Sequence, residues 1–249
     1  MIERGLYQYI RTIELSRDQS ELTKDYPFSL KAVKELTKLE LNPNVTFIVG
    51  ENGSGKSTLL EAIAVAYGFN PEGGSKNFNF ATNNSHSVLS EYIRITKGVK
   101  KARDGYFLRA ESFYNVASNI EQLDEEGIGP SIIDSYGGVS LHKQSHGESF
   151  ISLIMNRFGG NGLYILDEPE AALSPTRQMA LISRIHELVR NDSQFIIATH
   201  SPIIMSYPNA TIYSIEHEYT KMSYKDTEHY QVMKSFINNP GGMLDILLR

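Results

Sequence analysis

The chain has 249 residues and a net charge of −5, with 41% hydrophobic and 21% charged residues, as expected of a globular protein with a sizeable core. Its acidic balance argues against a wholly basic nucleic-acid binder, and the lack of cysteine excludes disulfides and thiolate metal sites. Because we find neither a signal-peptide core nor an apolar run of about 18 residues, we expect a cytoplasmic protein that reaches a membrane only through a partner subunit.

Strand and helix patterns alternate along the chain, which predicts an α/β fold with a parallel-rich sheet flanked by helices. Strands are predicted at residues 7–14, within 31–41, and at 45–49, 91–96, 106–110, 163–166, 194–198, 210–216 and 219–223. Helices are predicted at residues 58–66, 112–124, 146–158, 226–237 and 242–248, and after the N-cap Ser174 from Pro175 onward. We expect a single domain over residues 1–249, with an N-terminal antiparallel β portion, a basic hairpin turn at 97–104 and a helical subdomain at about 112–160.

Gly50–Ser57 is the motif around which the chain is organised. It matches G-x-x-x-x-G-K-[ST] and lies between an apolar strand and a helix, which is the context that this motif requires. Its glycines allow backbone N–H groups to converge on a phosphate at the positive end of the helix dipole. We expect Lys56 to reach the β- and γ-phosphates and the Ser57 hydroxyl to hold Mg²⁺. The predicted nucleotide-binding residues here are Asn52, Gly53, Ser54, Gly55, Lys56, Ser57 and Thr58.

Two later strands end in residues that suit phosphate chemistry. The strand at 163–166 is followed by Asp167 and Glu168, and the strand at 194–198 precedes His200. Ligands of α/β sheets bind at the carboxyl ends of parallel strands. We therefore expect Asp167 to hold Mg²⁺, Glu168 to polarise the attacking water, and His200 to contact the γ-phosphate. Alone, each residue is also compatible with a solvated turn or a structural histidine.

A second anion site is predicted at a helix start that carries Ser145, Gly147 and Glu148. Taken alone, Ser145 and Glu148 would be an ordinary N-cap and first-turn acid. One chain needs only one site that binds the γ-phosphate of its nucleotide. The second anion site therefore suggests a nucleotide shared with a second subunit.

The order of these motifs resembles the ABC-type ATPases, over roughly residues 26–205. In that family of P-loop NTPases, two ATPase domains enclose two ATP molecules, each between the phosphate loop of one domain and the signature helix of the other. The runs Val49–Ala64 and Phe107–Phe113 resemble those of small stand-alone ATPases related to the SMC and DNA-repair branch. By resemblance, the motifs are Walker A at Gly50–Thr58, Walker B at Leu163–Asp167, the catalytic glutamate at Glu168, the signature at Ser145–Glu148, the D-loop at Ala171–Ser174 and the switch histidine at His200.

Several positions depart from the family pattern. Gln144 stands where the signature has its leading Leu, and His146 stands where it has its first Gly. Ser174 replaces the Asp of the D-loop, which puts the expected contact across the dimer in doubt. Glu148, where transporter ATPases have Gln, is closer to the SMC and repair branch.

Three further features leave alternatives open. No Q-loop glutamine is evident, and we expect Glu111 to take its place as a metal ligand, because a carboxylate can also serve Mg²⁺. Tyr26 is either an adenine-stacking aromatic or a core or edge tyrosine. The basic turn Lys97–Arg103 is either a contact for nucleic-acid phosphates or a solvated turn.

The resemblance implies Mg²⁺-dependent hydrolysis of ATP to ADP and phosphate in an ATP-dependent homodimer. Glu148 and the sequence Glu-Asn-Gly-Ser-Gly favour a soluble ATPase of SMC, repair or defence type. Such an ATPase would act on nucleic acid or another protein. The alternative is the ATP-binding subunit of a membrane transporter with separately encoded membrane subunits. The short span from Lys56 to Ser145 is transporter-like, since it leaves no room for a long coiled coil. A nucleotide-gated regulatory module with little turnover is a third interpretation.

Overall fold

A computed structural model describes residues 8–16, 26–76, 87–110, 113–126, 132–140, 142 and 144–248. The strands are β1 Ile10–Leu15, β2 Lys38–Glu40, β3 Val45–Val49, β4 Ile93–Lys97, β5 Asp104–Arg109, β6 Gly162–Asp167, β7 Gln194–Ala198, β8 Thr211–Ser214 and β9 Thr220–Met222. The helices are α1 Lys31–Lys34, α2 Lys56–Tyr67, α3 Phe113–Glu126, α4 His146–Arg157, α5 Pro175–Arg190, α6 Pro202–Met205, α7 Glu228–Asn238 and α8 Pro240–Leu247. None of the helices in the described residues combines the length and the apolar character that crossing a bilayer demands.

The central sheet has six strands in the order β5-β6-β7-β3-β8-β9. The first five are parallel, and β9 is antiparallel to β8. Strands β3, β6 and β7 are buried along their whole length, as their nearly continuous apolar sequences predict for strands covered on both faces. The parallel arrangement places the carboxyl ends of five strands at one edge of the sheet, which we call the carboxyl edge.

A smaller antiparallel sheet has the order β2-β1-β4. Helix α2 contacts both sheets, and its Leu59, Leu60 and Ile63 lie in the apolar core between them. Helices α3, α4 and α5 contribute to a second core on the other face of the central sheet. This architecture confirms the predicted α/β fold with a parallel-rich sheet and an N-terminal antiparallel β portion.

The predicted hairpin between residues 91–96 and 106–110 is wrong. Strand β4 pairs with β1, whereas β5 pairs in parallel with β6. The reason is burial, because Tyr106, Phe107 and Leu108 are all buried. Such a strand needs side chains packed on both of its faces. The edge of the central sheet next to α3 and α4 provides this packing.

The prediction of strands within residues 31–41 is right only in part, because Lys38–Glu40 forms β2 whereas Lys31–Lys34 forms α1. Ala32 and Val33 of α1 are buried against α2. They lie four and three residues before the buried Leu36, and this spacing places side chains on one face of a helix. The N–H of Ala32 donates to the Ser54 carbonyl at 2.9 Å. Helix α1 therefore supports the loop between β3 and α2.

Candidate active site

The motifs predicted to act together meet at the carboxyl edge. Strand β3 runs into Gly50–Ser57, which we call the phosphate loop, and its neighbour β7 lies beside β6. The Ser57 hydroxyl donates to Asp167 Oδ1 at 3.1 Å, and His200 Nε2 lies 3.5 Å from Glu168 Oε1. The fold therefore gathers residues from three distant parts of the sequence into one site.

The phosphate loop has the backbone that its glycines permit. Gly53 and Gly55 have φ values of +79° and +99°, in the left-handed region that residues with a Cβ rarely adopt. A Cβ at Gly55 would also lie 2.9 Å from the Cβ of Leu30. Gly55 directly precedes α2, so the loop ends at the positive pole of that helix.

Lys56 is folded into the phosphate loop and is 3% exposed. Its Nζ donates to the Gly50 and Glu51 carbonyls, each at 2.9 Å. Burial lowers the pKa of Lys56, and the nearby carboxylates of Glu168 and Asp167 partly oppose that change. The loop thus holds a cation where a polyphosphate would need one.

The oxygen atoms around Ser57 suit a hard divalent cation. A hydroxyl and the Asp167 carboxylate face each other, and Mg²⁺ prefers such ligands. The Ser54 hydroxyl of the same loop is buried and has no hydrogen-bond partner among the described residues. These residues therefore fit Mg²⁺ and phosphate oxygens.

Glu168 and His200 face each other beside Lys56. Glu168 has φ +49°, a left-handed conformation that is uncommon for a residue with a side chain and is frequent at functional sites. His200 Nε2 is buried without a hydrogen bond in the described part of the chain. Burial and the charge of Lys56 lower the pKa of His200, which favours its neutral ring.

An ion pair that sequence reasoning missed lies next to Asp167. Arg109, the last residue of β5, donates from Nη1 to Glu61 Oε2 at 2.7 Å, and its Nε lies 3.6 Å from Asp167 Oδ2. The side chains of Arg109 and Glu61 are 18% and 13% exposed. Glu61 lies one helical turn after Ser57, so its position on the same face of α2 was visible in the sequence.

Glu170 is a second residue that sequence reasoning missed. Its buried carboxylate accepts hydrogen bonds from the Thr199 hydroxyl at 2.8 Å and from the backbone N–H of His200. Burial raises the pKa of Glu170, and these hydrogen bonds partly oppose that rise. The carboxylate therefore ties the loop after β7, which carries His200, to the turn after β6.

His229 of α7 is a third residue that no motif indicated. Its Nε2 lies 2.8 Å from His200 Nδ1. Helix α7 thus reaches the carboxyl edge, although its sequence matches no phosphate-binding pattern.

Ser145, Gly147 and Glu148 begin α4, as predicted. Ser145 and Glu148 form a reciprocal capping box, and Arg177 lies 3.2 Å from the Glu148 carboxylate. A Cβ on Gly147 would lie 2.6 Å from the Ala172 carbonyl, so this segment packs tightly against the predicted D-loop. Among the described residues, the hydrogen bonds of Ser145 and Glu148 stay within the first turn of α4 or reach Arg177, and none reaches the phosphate loop.

The remaining predicted residues differ in what the structure says of them. Asn52 is exposed on the phosphate loop, and Thr58 lies in the first turn of α2. Glu111 lies outside the described residues. Tyr26 is 67% exposed, so it is not a core residue. In the basic turn, Lys100 pairs with Asp192 at 2.9 Å, at the edge of the central sheet opposite the site.

Comparison with known proteins places this site in a family. A model described as "AAA domain" matches residues 27–159, and a second AAA domain model, whose description also names the AbiEii toxin and type IV TA systems, matches residues 133–206. The first match covers more than half of the chain. The chain therefore belongs to this AAA domain family, and its motifs and sheet are those of an ABC-type P-loop ATPase, as the sequence predicted.

Among curated relatives, the ABC transporter G family member STR2 of Medicago truncatula is 27% identical over 172 residues, 64% of this chain. The matched chain spans only 24% of that protein. The lipoprotein-releasing system ATP-binding protein LolD of Buchnera aphidicola is 26% identical over 223 residues, 78% of this chain and 94% of LolD. The solved SMC head domain from Thermotoga maritima has a TM-score of 0.44 at 16% identity, over 83% of this chain and 94% of that domain.

Proposed function

We propose that this protein hydrolyses ATP to ADP and phosphate with Mg²⁺, in a homodimer that closes around two nucleotides. The observation that carries the proposal is the contact of Ser57 with Asp167 beside the buried Lys56. It combines a metal-ligand pair with a phosphate-binding cation at the end of a glycine-rich loop. Membership of the AAA domain family supports the same chemistry.

In this proposal the phosphate loop N–H groups and Lys56 bind the phosphates and neutralise their charge, which is the main source of rate enhancement in phosphoryl transfer. Ser57 and Asp167 would hold Mg²⁺, which would supply positive charge to offset that of the phosphates. Glu168 orients and polarises the attacking water, and the exposed ring of Tyr26 stacks on the adenine. His200 donates a hydrogen bond from Nε2 to the γ-phosphate.

The second half of each site comes from the partner in this proposal. Ser145, Gly147 and Glu148 present a hydroxyl and the N-terminus of α4, which together form an anion site. Their hydrogen bonds do not reach the phosphate loop of the same chain. That arrangement supports a role for the segment toward the nucleotide of another protomer.

The substitution Glu168→Gln tests the catalytic assignment. Removing the base should lower kcat at least about 100-fold, while ATP binding, measured by equilibrium dialysis, stays within about twofold. The exposed Glu91→Gln is the matched control and should leave kcat unchanged. An unchanged kcat in Glu168→Gln would refute the role of this carboxylate.

We further propose that the ATP cycle drives work on nucleic acid or another protein, as in SMC-, repair- or defence-type ATPases. Glu148 in the signature and the match to AAA domain models support this use. A second candidate, the ATP-binding subunit of a transporter, is supported by the match over nearly all of LolD.

Isolation of the tagged protein from its native cells separates the two uses. Co-purification of a polytopic membrane protein would favour the transporter subunit and end the first proposal. Stimulation of ATP hydrolysis by DNA, without any membrane protein, would end the second.

A further inference from the structure

Helix α7 places one imidazole against another at the candidate active site. His229 Nε2 lies 2.8 Å from His200 Nδ1, with ring centroids 5.0 Å apart. His229 is the second residue of α7, and the buried N-cap Thr227 fixes the start of that helix. The Thr227 hydroxyl donates to the Tyr224 carbonyl at 2.7 Å. The position of His229 is therefore set by a buried anchor.

The surroundings of His200 determine which of its nitrogens carries the proton. Burial lowers the pKa of both His200 and His229, which favours the neutral ring with one N–H group in each. His200 Nε2 lies 3.5 Å from the Glu168 carboxylate. A lone pair on Nε2 would repel that carboxylate, whereas an N–H is attracted to it. Nε2 therefore carries the proton, and Nδ1 is an acceptor.

We propose that His229 is a positioning residue for His200, whose Nδ1 accepts a hydrogen bond from the Nε2–H group of His229. This hydrogen bond is required, together with the attraction of Glu168, to hold His200 in the Nε2–H tautomer, and it fixes the plane of the ring. The Nε2–H group of His200 is thereby kept as a donor toward the reacting phosphate. The value of that donor for hydrolysis rests on the proposed function, whereas the tautomer itself does not. Helix α7 thus contributes to the active site, although its sequence contains no phosphate-binding motif.

The tautomer is tested directly on the full chain without nucleotide. Two-bond ¹H–¹⁵N correlation spectra of ¹⁵N-histidine-labelled protein report which nitrogen of each ring is protonated, and His200→Gln assigns the signals of His200. The wild-type protein and His229→Gln, whose amide retains an N–H donor, should show His200 protonated on Nε2. His229→Leu should show exchange between the two tautomers. A wild-type His200 protonated on Nδ1, or an unchanged tautomer in His229→Leu, would overturn the proposal.

Steady-state kinetics test the positioning role of His229 independently. His229→Leu should lower kcat about tenfold and leave the KM for ATP within about twofold, because ring orientation affects the chemical step more than nucleotide binding. His229→Gln should restore most of the lost kcat, and the exposed Gln231→Ala on the same helix should match the wild type. An unchanged kcat in His229→Leu would contradict the positioning role. If wild-type protein did not hydrolyse ATP at all, the proposed function would fail, while the tautomer result would still decide the hydrogen bond.

Discussion

At the scale of single residues, the carboxyl edge concentrates acidic side chains that are held by specific partners. Arg109 neutralises Glu61 and approaches Asp167, and Glu170 is held by Thr199 and the backbone of His200. Buried charges are tolerated only when such partners are present. The partly exposed Glu168 faces the place where the nucleotide is proposed to bind.

We predict that Arg109→Ala lowers the free energy of unfolding by about 2–4 kcal/mol, because it leaves the partly buried Glu61 without its cation. Urea denaturation measures the loss. The matched control is the exposed Arg94→Ala on β4, whose effect should stay within about 0.5 kcal/mol. Equal effects of the two substitutions would show that the pair with Glu61 does not stabilise the fold.

At the scale of elements, Asp104 joins the start of β5 to the end of α4 and to β6. Its carboxylate accepts hydrogen bonds from Arg157 at 2.9 Å, from the Gly159 N–H at 2.9 Å and from the Tyr164 hydroxyl at 2.7 Å. Burial alone would raise the pKa of Asp104, but these hydrogen bonds and the charge of Arg157 lower it. The cluster lies at the edge of the sheet opposite the active site, so its role is structural.

We predict that Asp104→Asn destabilises the protein by about 2–3 kcal/mol at neutral pH, since the bond to the Arg157 guanidinium loses its charge. Because the folded pKa of Asp104 is lowered, its contribution is fully present above the unfolded pKa of about 3.9. That contribution is lost as the pH falls through the lower, folded pKa. Urea denaturation of both proteins at pH 7 and at stepwise lower pH should show their difference shrinking in acid. A difference that stays constant would contradict the assigned pKa direction.

The same scale shows what could be predicted from the sequence. Apolar runs predicted β3, β6 and β7, and the Ser-Pro pair predicted the start of α5, where the Ser174 hydroxyl accepts from the N–H of Arg177. These are local properties. The pairing of β5 with β6 is not local. It depends on distant parts of the chain that together bury Phe107. The turn residues at 97–104 therefore predicted a hairpin that the chain does not form.

The candidate site likewise contains residues that the sequence could predict and residues that it could not. Motifs of fixed spacing indicated the phosphate loop, Asp167, Glu168 and His200, because phosphate chemistry fixes residue types at strand ends. Glu170 and His229 contact His200, and such supporting contacts have no fixed spacing. Only their place in the fold revealed them.

At the scale of the whole molecule, the two segments proposed to bind phosphate share no hydrogen bond among the described residues of one protomer. The phosphate loop lies at the carboxyl edge of the central sheet, and the Ser145–Glu148 segment begins α4 beside the predicted D-loop. We propose that a second copy of the chain brings these two segments together around ATP. The single-domain organisation predicted for residues 1–249 is the unit that would pair.

Analytical ultracentrifugation of Glu168→Gln with saturating ATP and Mg²⁺ tests this claim most directly, because the variant should bind ATP without hydrolysing it. We predict a dimer with ATP and a monomer without it. Adding Ser145→Arg should abolish the dimer while leaving ATP binding intact, and adding the exposed Ser183→Arg should have no effect. A Glu168→Gln protein that binds ATP but remains monomeric at high concentration would contradict the account.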